Sequence, residues 1–334
     1  MITRADLEFE LPDELVAQEP CTPRDAARLL VLERASGRLE ELRFSDLAAA
    51  AGPADLFVVN DTCVVPAKLR GRKRSGGRAE ALLLSRRADG DWSALVRARG
   101  KLAPGLELVF GELEATVVEV LPGGTCRLAL STPSGVDPER LLEALGEAPL
   151  PPYIRRAEPR ASDLADYQTI FARAPGAVAA PTASLHFTPE LAAKLRIATV
   201  TLHVGPGTFR PLRGERLEDH ELEAERFVVP EETAAAITHA RAAGGRAIAV
   251  GTTVVRSLET TGGEAGGGET KLLILPGHDF RAVDALVTNF HLPGSSLLAL
   301  VMAFAGVEET RRLYGLAVED RYRFYSFGDA MLVL

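Results

Sequence analysis

The chain has 334 residues, 46% of them hydrophobic and 25% charged, with a formal net charge of −8; these proportions exclude disordered and fibrous classes and leave one large globular domain or two smaller ones. No stretch approaches the roughly 18 uninterrupted apolar residues of a spanning helix, and MITRADLEFELPDE lacks a basic and apolar leader, so a soluble, cytoplasmic protein with no membrane partner is expected. Cys21, Cys63 and Cys126 form an odd set without a CxxC pair or a His at zinc spacing, which argues against a disulfide framework and predicts no metal.

In chain order, LPDELVAQ reads as a short helix, ARLLVLER as a strand, FSDLAAAA as a helix opened by Ser45, and DLFVVNDT as a buried strand ending in polar residues. From Pro66 to Ser131 the texture changes. Alternating runs RAEALLLSRR, DWSALVR, LELVFG, LEATVVEVL and CRLALS, separated by SGG, ADGD, APG and PGG, predict a small antiparallel barrel or sandwich. After the joint PLPPY the α/β rhythm returns. Thr188 caps a helix with Pro189 at its first position, TVTLHVG is a strand, and a helix opens at Pro230 and closes at Gly244. RAIAVGTTVVRSLE and DALVTNFHLPGSSLLALVMAFAG each read as strand, turn and helix, the second capped by Ser295 or Ser296, and DAMLVL is a last strand. GGEAGGGET reads as a flexible connection. The expected architecture is an α/β main domain, residues 1–62 and 150–334, with a small antiparallel β-barrel domain inserted at 63–149.

The acidic total hides an asymmetry. Between Thr62 and Lys101 stand eleven Lys or Arg against three acids, a local +8, leaving −16 for the remainder. Such a stripe suits one basic module presented to nucleic acid. Charge alone equally allows a solvated strand face with guarded edges.

Ligands of open α/β sheets bind beyond the carboxyl ends of the strands, where helix N-termini offer free N–H groups. Polar, conformationally special strand ends occur here at Asn60-Asp61-Thr62, at His203-Val204-Gly205-Pro206-Gly207-Thr208, at Gly251-Thr252-Thr253 and at Thr288-Asn289-Phe290-His291, with Thr182 to His186 preceding another helix. Each alone is equally a turn or a plain cap. Together they place three of the six histidines, His186, His203 and His291, at such ends. VGPGTF lacks the third glycine of a dinucleotide loop, GGRAIAVGTTVVRS lacks a phosphate-loop lysine, and no GxSxG elbow is present.

The strings LVAQEPCTPRDAARLLVL, VVNDTCVVPAKL, LPPYIRR, DYQTIFARAPGAVAAPTASLHFT, TLHVGPGTFRPL, AVGTTVVRSLE, TNFHLPGSSLLALVMAFAG and RYRFYSFGDAM, in that order from about Leu11 to Met331, resemble the S-adenosylmethionine:tRNA ribosyltransferase-isomerase family of the queuosine pathway. The resemblance implies an α/β domain with an inserted β-barrel. It also implies transfer and isomerisation of the ribosyl moiety of S-adenosylmethionine onto 7-aminomethyl-7-deazaguanine in tRNA, giving epoxyqueuosine-tRNA, adenine and methionine. S-adenosylmethionine is then a co-substrate, tRNA the partner, and no prosthetic group is expected. A neutral histidine among His186, His203 and His291 suits removal of a proton from the ribose 5′ carbon, which the sulfonium acidifies. His186, beside the Thr188 cap, is the first choice. Arg210 and Arg256 are candidates for the methionyl carboxylate; Asn60, Asp61, Thr182, Gly205, Thr208, Gly251, Thr252, Thr253 and Asn289 complete the expected substrate site. Lys68, Arg70, Arg72, Lys73 and Arg74 are expected to contact the tRNA backbone rather than its bases.

The chain departs from the family's usual strings at Cys63, Ser184, Glu223 and Val254. Ser184 stands where a glycine is usual, a position at which positive φ would strain a side chain. A divergent relative acting on another acceptor, or a non-catalytic tRNA-binding protein, is the alternative.

Overall fold

The structure, a computed structural model, describes residues 3–121, 124–132, 136–205 and 216–334. Strands β1 (Arg28–Glu33), β2 (Arg38–Arg43), β3 (Leu56–Asn60) and β4 (Thr62–Val64), with the short helix α1 (Leu47–Ala50), precede a barrel. The barrel strands are β5 (Lys68–Lys73), β6 (Arg78–Arg86), β7 (Trp92–Ala98), β8 (Glu107–Phe110), β9 (Leu113–Val120) and β10 (Thr125–Ser131). Beyond them come α2 (Pro138–Leu145), α3 (Asp163–Asp166), β11 (Ala174–Ala177), α4 (Pro189–Ala192), β12 (Ile197–Leu202), β13 (Glu225–Val229), α5 (Glu231–Ala242), β14 (Ala247–Val250) and α6 (Thr252–Thr261). The last elements are β15 (Gly266–Thr270), β16 (Ala285–Asn289), α7 (Ser296–Ala305), α8 (Val307–Glu319) and β17 (Ala330–Val333).

The main sheet runs β15-β13-β12-β3-β14-β16-β17-β1-β2. Its centre, β12, β3, β14 and β16, is parallel, and antiparallel strands flank it. Every residue of β3, β14 and β16 is buried, as expected of parallel strands covered on both faces. Alternation sorts them into two layers. Leu56, Val58, Ala247, Ala249 and Leu286 face one side, packed with Val254 and Leu258 of α6 and Leu298 of α7. Phe57, Val59, Ile248, Val250 and Val287 face the other, packed under Phe44, Phe187 and Leu191 from short turns. Long helices therefore cover one face and brief turns the other.

The barrel closes in the order β10-β7-β6-β5-β8-β9, so it leaves no open edge. Leu69, Ala81, Leu83, Val96, Phe110, Val117 and Leu128 fill it. Gly71 of β5 also points inward, where a Cβ would overlap the Val109 carbonyl and the Phe110 ring. Small residues are thus what let this basic strand close the barrel, while Arg70 and Arg72 alternate outward.

Several local expectations change. LPDELVAQ keeps only a 3-10 turn at Asp13–Leu15, because so short a run cannot offset helix nucleation, and Val16 instead bridges Phe324. Ser45 does not open its helix: it lies inside the 3-10 turn Phe44–Asp46, which Asp46 ties back to the Arg43 N–H at 3.0 Å. GGEAGGGET is not a loose connection, since Gly266–Thr270 pairs in register with β13 at the sheet edge. Strand β2 and helix α2 were not anticipated. Thr188 does cap α4, accepting from the Leu191 N–H at 3.2 Å, Ser295 caps α7, and α5 starts after Pro230.

Candidate active site

The parallel centre of the sheet directs Asn60, Gly251 and Asn289 to one edge, and a cavity of about 360 Å³ opens there. Thr182, Gly251, Thr252, Thr253, Thr288, Asn289 and His291 line it, with Tyr153, Tyr167, Tyr325 and Ser326 from distant segments. At Gly251 the chain turns from β14 into α6 with φ +93, a conformation that favours glycine. No side chain caps α6, so its first N–H groups remain available at the cavity.

The expected site residues divide into three groups. Thr182, Gly251, Thr252, Thr253, Asn289 and His291 line the cavity. A second group stands apart from it. Asn60 is spent as a pin: its amide donates to the Leu202 carbonyl at 2.9 Å and to Thr253 Oγ1 at 3.3 Å, while its oxygen accepts from the Leu202 and Thr62 N–H groups. Asp61 accepts from Thr201 Oγ1 at 2.6 Å, and the Gly205 N–H donates to Glu225. His203 pairs with Thr62 Oγ1 at 2.8 Å through Nδ1, its pKa lowered by burial and then by Arg226. Arg256 is committed to a buried ion pair with Glu225 and to the Leu272 carbonyl. Thr208 and Arg210 form the third group, which lies outside the described residues.

His186 is the sharpest departure from expectation. Its ring does not project into the cavity; it is 4% exposed and packs on Phe44 at 4.9 Å. Asn289 stands between, its Nδ2 at 3.1 Å from His186 Nε2. Burial pushes the His186 pKa down to about 3, with nearby Arg323 adding to the effect. The depression arises from desolvation, and the adjoining α4 is one turn long. His291 lines the cavity, its Nε2 2.8 Å from Thr288 Oγ1, and burial lowers it likewise to about 3. Both rings are neutral at physiological pH.

Sequence reasoning passed over the tyrosines. Tyr153 and Tyr325 stack with ring centroids 4.3 Å apart, and the Tyr153 and Ser326 hydroxyls meet at 2.7 Å. Burial raises both phenol pKa values, so both stay protonated. Tyr325 adopts φ +71, a strained state for a large side chain, and such strain concentrates at functional sites. The strings PLPPY and RYRFYSFGD carried these residues without any local sign that the fold stacks them. Of the departures, Ser184 is buried in the turn Thr182–His186 without positive φ, its Oγ unpaired among the described residues, Val254 is core, and Cys63 accepts from Gln168 Nε2 at 3.2 Å.

Beside the cavity runs a groove of about 740 Å³, lined by Lys68, Arg70, Arg97, Arg155, Arg156 and Arg160 against Glu147 and Asp163. Pro152 belongs to both walls. Arg156 and Asp163 form a buried pair. Arg155, Arg160 and Arg70 have exposed or half-exposed partners in Asp13, Glu19 and Glu147. Of the five residues expected on the tRNA, Lys68 and Arg70 are in this groove; Arg72, Lys73 and Arg74 are not. Arg74 is held between Glu107 and Glu114, and Lys73 donates to the Arg99 carbonyl. Among the described residues no cluster of three or more His, Cys, Asp or Glu can hold a metal, and no helix is long and apolar enough to cross a membrane.

The class of protein is thus a mixed α/β sheet with a cavity at its carboxyl edge, joined to a closed antiparallel barrel and an adjoining cationic groove. A family profile described as "Queuosine biosynthesis protein" matches residues 4–333, and the chain belongs to that family. It is 49% identical to the S-adenosylmethionine:tRNA ribosyltransferase-isomerase of Moorella thermoacetica, over 98% of this chain and 99% of that one. It is 51% identical to the enzyme of the same name from Anaeromyxobacter dehalogenans, over 99% of each. The crystal structure of S-adenosylmethionine tRNA ribosyltransferase from Thermotoga maritima superposes with a TM-score of 0.55 at 37% identity, over 98% of this chain and all of that one.

Proposed function

We propose that this chain transfers and isomerises the ribosyl moiety of S-adenosylmethionine onto 7-aminomethyl-7-deazaguanine in tRNA, with release of adenine and methionine. The observation that carries the reading is the contiguity of a cavity lined by uncharged residues with a cationic groove across Pro152. S-adenosylmethionine occupies the cavity, its carboxylate at the uncapped N-terminus of α6 near Thr252 and Thr253. Of the three candidate histidines His291 alone lines the cavity, and that position supports it as the group that takes the 5′ proton. With Nε2–H donated to Thr288, its Nδ1 keeps a lone pair. The tRNA backbone follows Lys68, Arg70, Arg97, Arg155 and Arg160, and the target base reaches over Pro152. In this reading residues 63–149 are a tRNA-gripping insert in a catalytic body made of 1–62 and 150–334.

The test is incubation with S-adenosylmethionine and tRNA bearing the aminomethyl base. Adenine, methionine and a tRNA heavier by the transferred group are expected. Formation of S-adenosylhomocysteine instead would mean methyl transfer and overturn the proposal.

A further inference from the structure

Asn289 ends β16 at 1% exposure and lines the cavity. Its Nδ2 lies 2.9 Å from the Tyr325 carbonyl and 3.1 Å from His186 Nε2. A carbonyl can only accept, so the NH2 must face Tyr325, and its other proton then points at His186 Nε2. That nitrogen must carry a lone pair, which requires a neutral His186 with its proton on Nδ1. Both amide protons are thereby used, and the amide cannot turn without setting its oxygen against the Tyr325 carbonyl. The strained backbone of Tyr325 holds that carbonyl in place, with the Gly328 N–H occupying its other lone pair at 3.0 Å. What remains is Oδ1, a buried acceptor that no described protein group pairs. An acceptor so buried is costly until something donates to it, and a site built this way discriminates strongly against ligands lacking the donor.

We infer that Asn289 Oδ1 reads an N–H donor on the nucleobase that enters the cavity beside the stacked Tyr153 and Tyr325, and that His186 is a positioning residue that locks the amide in its reading orientation. The inference rests on the proposed function, which supplies two bases with an amino group: the adenine of S-adenosylmethionine and the deazaguanine of the tRNA. The chemistry is common to both, an amino N–H given to a fixed amide oxygen.

Calorimetric titration of the whole protein with S-adenosylhomocysteine and with its purine counterpart, whose 6-amino group is replaced by hydrogen, tests the first source. Titration with tRNA bearing the aminomethyl base, and with the same tRNA in which a 2-aminopurine-type donor is deleted from that base, tests the second. Wild type should prefer the amino form of one of these pairs by tenfold or more, and Asn289→Leu should abolish that preference. His186→Gln, which keeps an acceptor near the Nε2 position, should retain it, whereas His186→Leu should relax it. That rescue separates positioning from packing. The wild-type preference needs no variant, so a misfolded Asn289→Leu does not protect the idea. Equal wild-type affinity within each pair overturns the inference while leaving the proposed function intact; no binding of S-adenosylhomocysteine or tRNA at all overturns both.

Discussion

The cavity and the groove share Pro152 yet work by opposite physics. In the cavity, histidines are kept uncharged by burial, phenols are kept protonated, and polar atoms are saturated pairwise, so recognition depends on the few that are left over. In the groove, outside the buried Arg156–Asp163 pair, Arg70, Arg155 and Arg160 are exposed or partly exposed and paired with acids that a polyanion can displace, so polyanion binding there would depend on salt more than on geometry. Under the proposed function the cavity supplies selectivity and the groove attachment, and substitutions should separate them.

The largest effect should come from His291→Ala. Loss of the cavity-facing imidazole should lower turnover by about 10²- to 10⁴-fold with S-adenosylhomocysteine affinity changed only a few-fold. Unimpaired turnover in the folded variant would move the proton acceptor elsewhere. Combined replacement of Lys68, Arg97 and Arg155 by Ala should weaken tRNA binding and flatten the plot of log affinity against log salt by about 0.7 to 0.9 per lost phosphate contact. S-adenosylhomocysteine binding should be untouched. An unchanged slope would place the tRNA on another face.

Acid should distinguish the regions as well. His186 and His291 titrate near 6.5 when unfolded and about 3 when folded, so between those values the unfolded chain binds protons that the native one refuses. Stability therefore rises with pH through this window and falls on acidification by about 1.4 kcal/mol per pH unit for each histidine. Urea unfolding at pH 7, 6 and 5 should show this decline, and His186→Gln should shed its share. Parallel pH profiles for the two proteins would refute buried neutral His186. The smallest effect belongs to Arg74→Ala, whose partners Glu107 and Glu114 lie on the barrel. Little change in barrel stability and none in the salt slope is expected; a changed slope would extend the tRNA path to the β5 turn.

Much of the scaffold was legible because it rests on local rules. Apolar runs marked the buried strands β3, β14 and β16, and Thr188, Pro230 and Ser295 marked helix starts. Alternation with tight turns marked the barrel, and the polar strand ends marked the cavity edge. What stayed hidden depends on distant pairing. Nothing near Gly266 shows that a glycine run will find an edge partner in β13. Nothing near His186 shows that Asn289, 103 residues on, will stand between it and the cavity. Arg256 and Asn60 are polar at strand and helix ends, as ligand residues are, yet Glu225 and the Leu272 carbonyl hold two of the three Arg256 nitrogens and Leu202 takes the Asn60 amide. Tyr325 was invisible because its strained φ and its stack on Tyr153 exist only in the folded chain.

In the proposed function the cavity at the carboxyl edge of β3, β14 and β16 holds the ribosyl donor. Crystals grown with S-adenosylhomocysteine will show whether it does. The ligand is expected in the cavity, with its base beside Tyr325 and its carboxylate at the start of α6. Ordered ligand in the cationic groove or on the barrel, with the cavity empty, would contradict it.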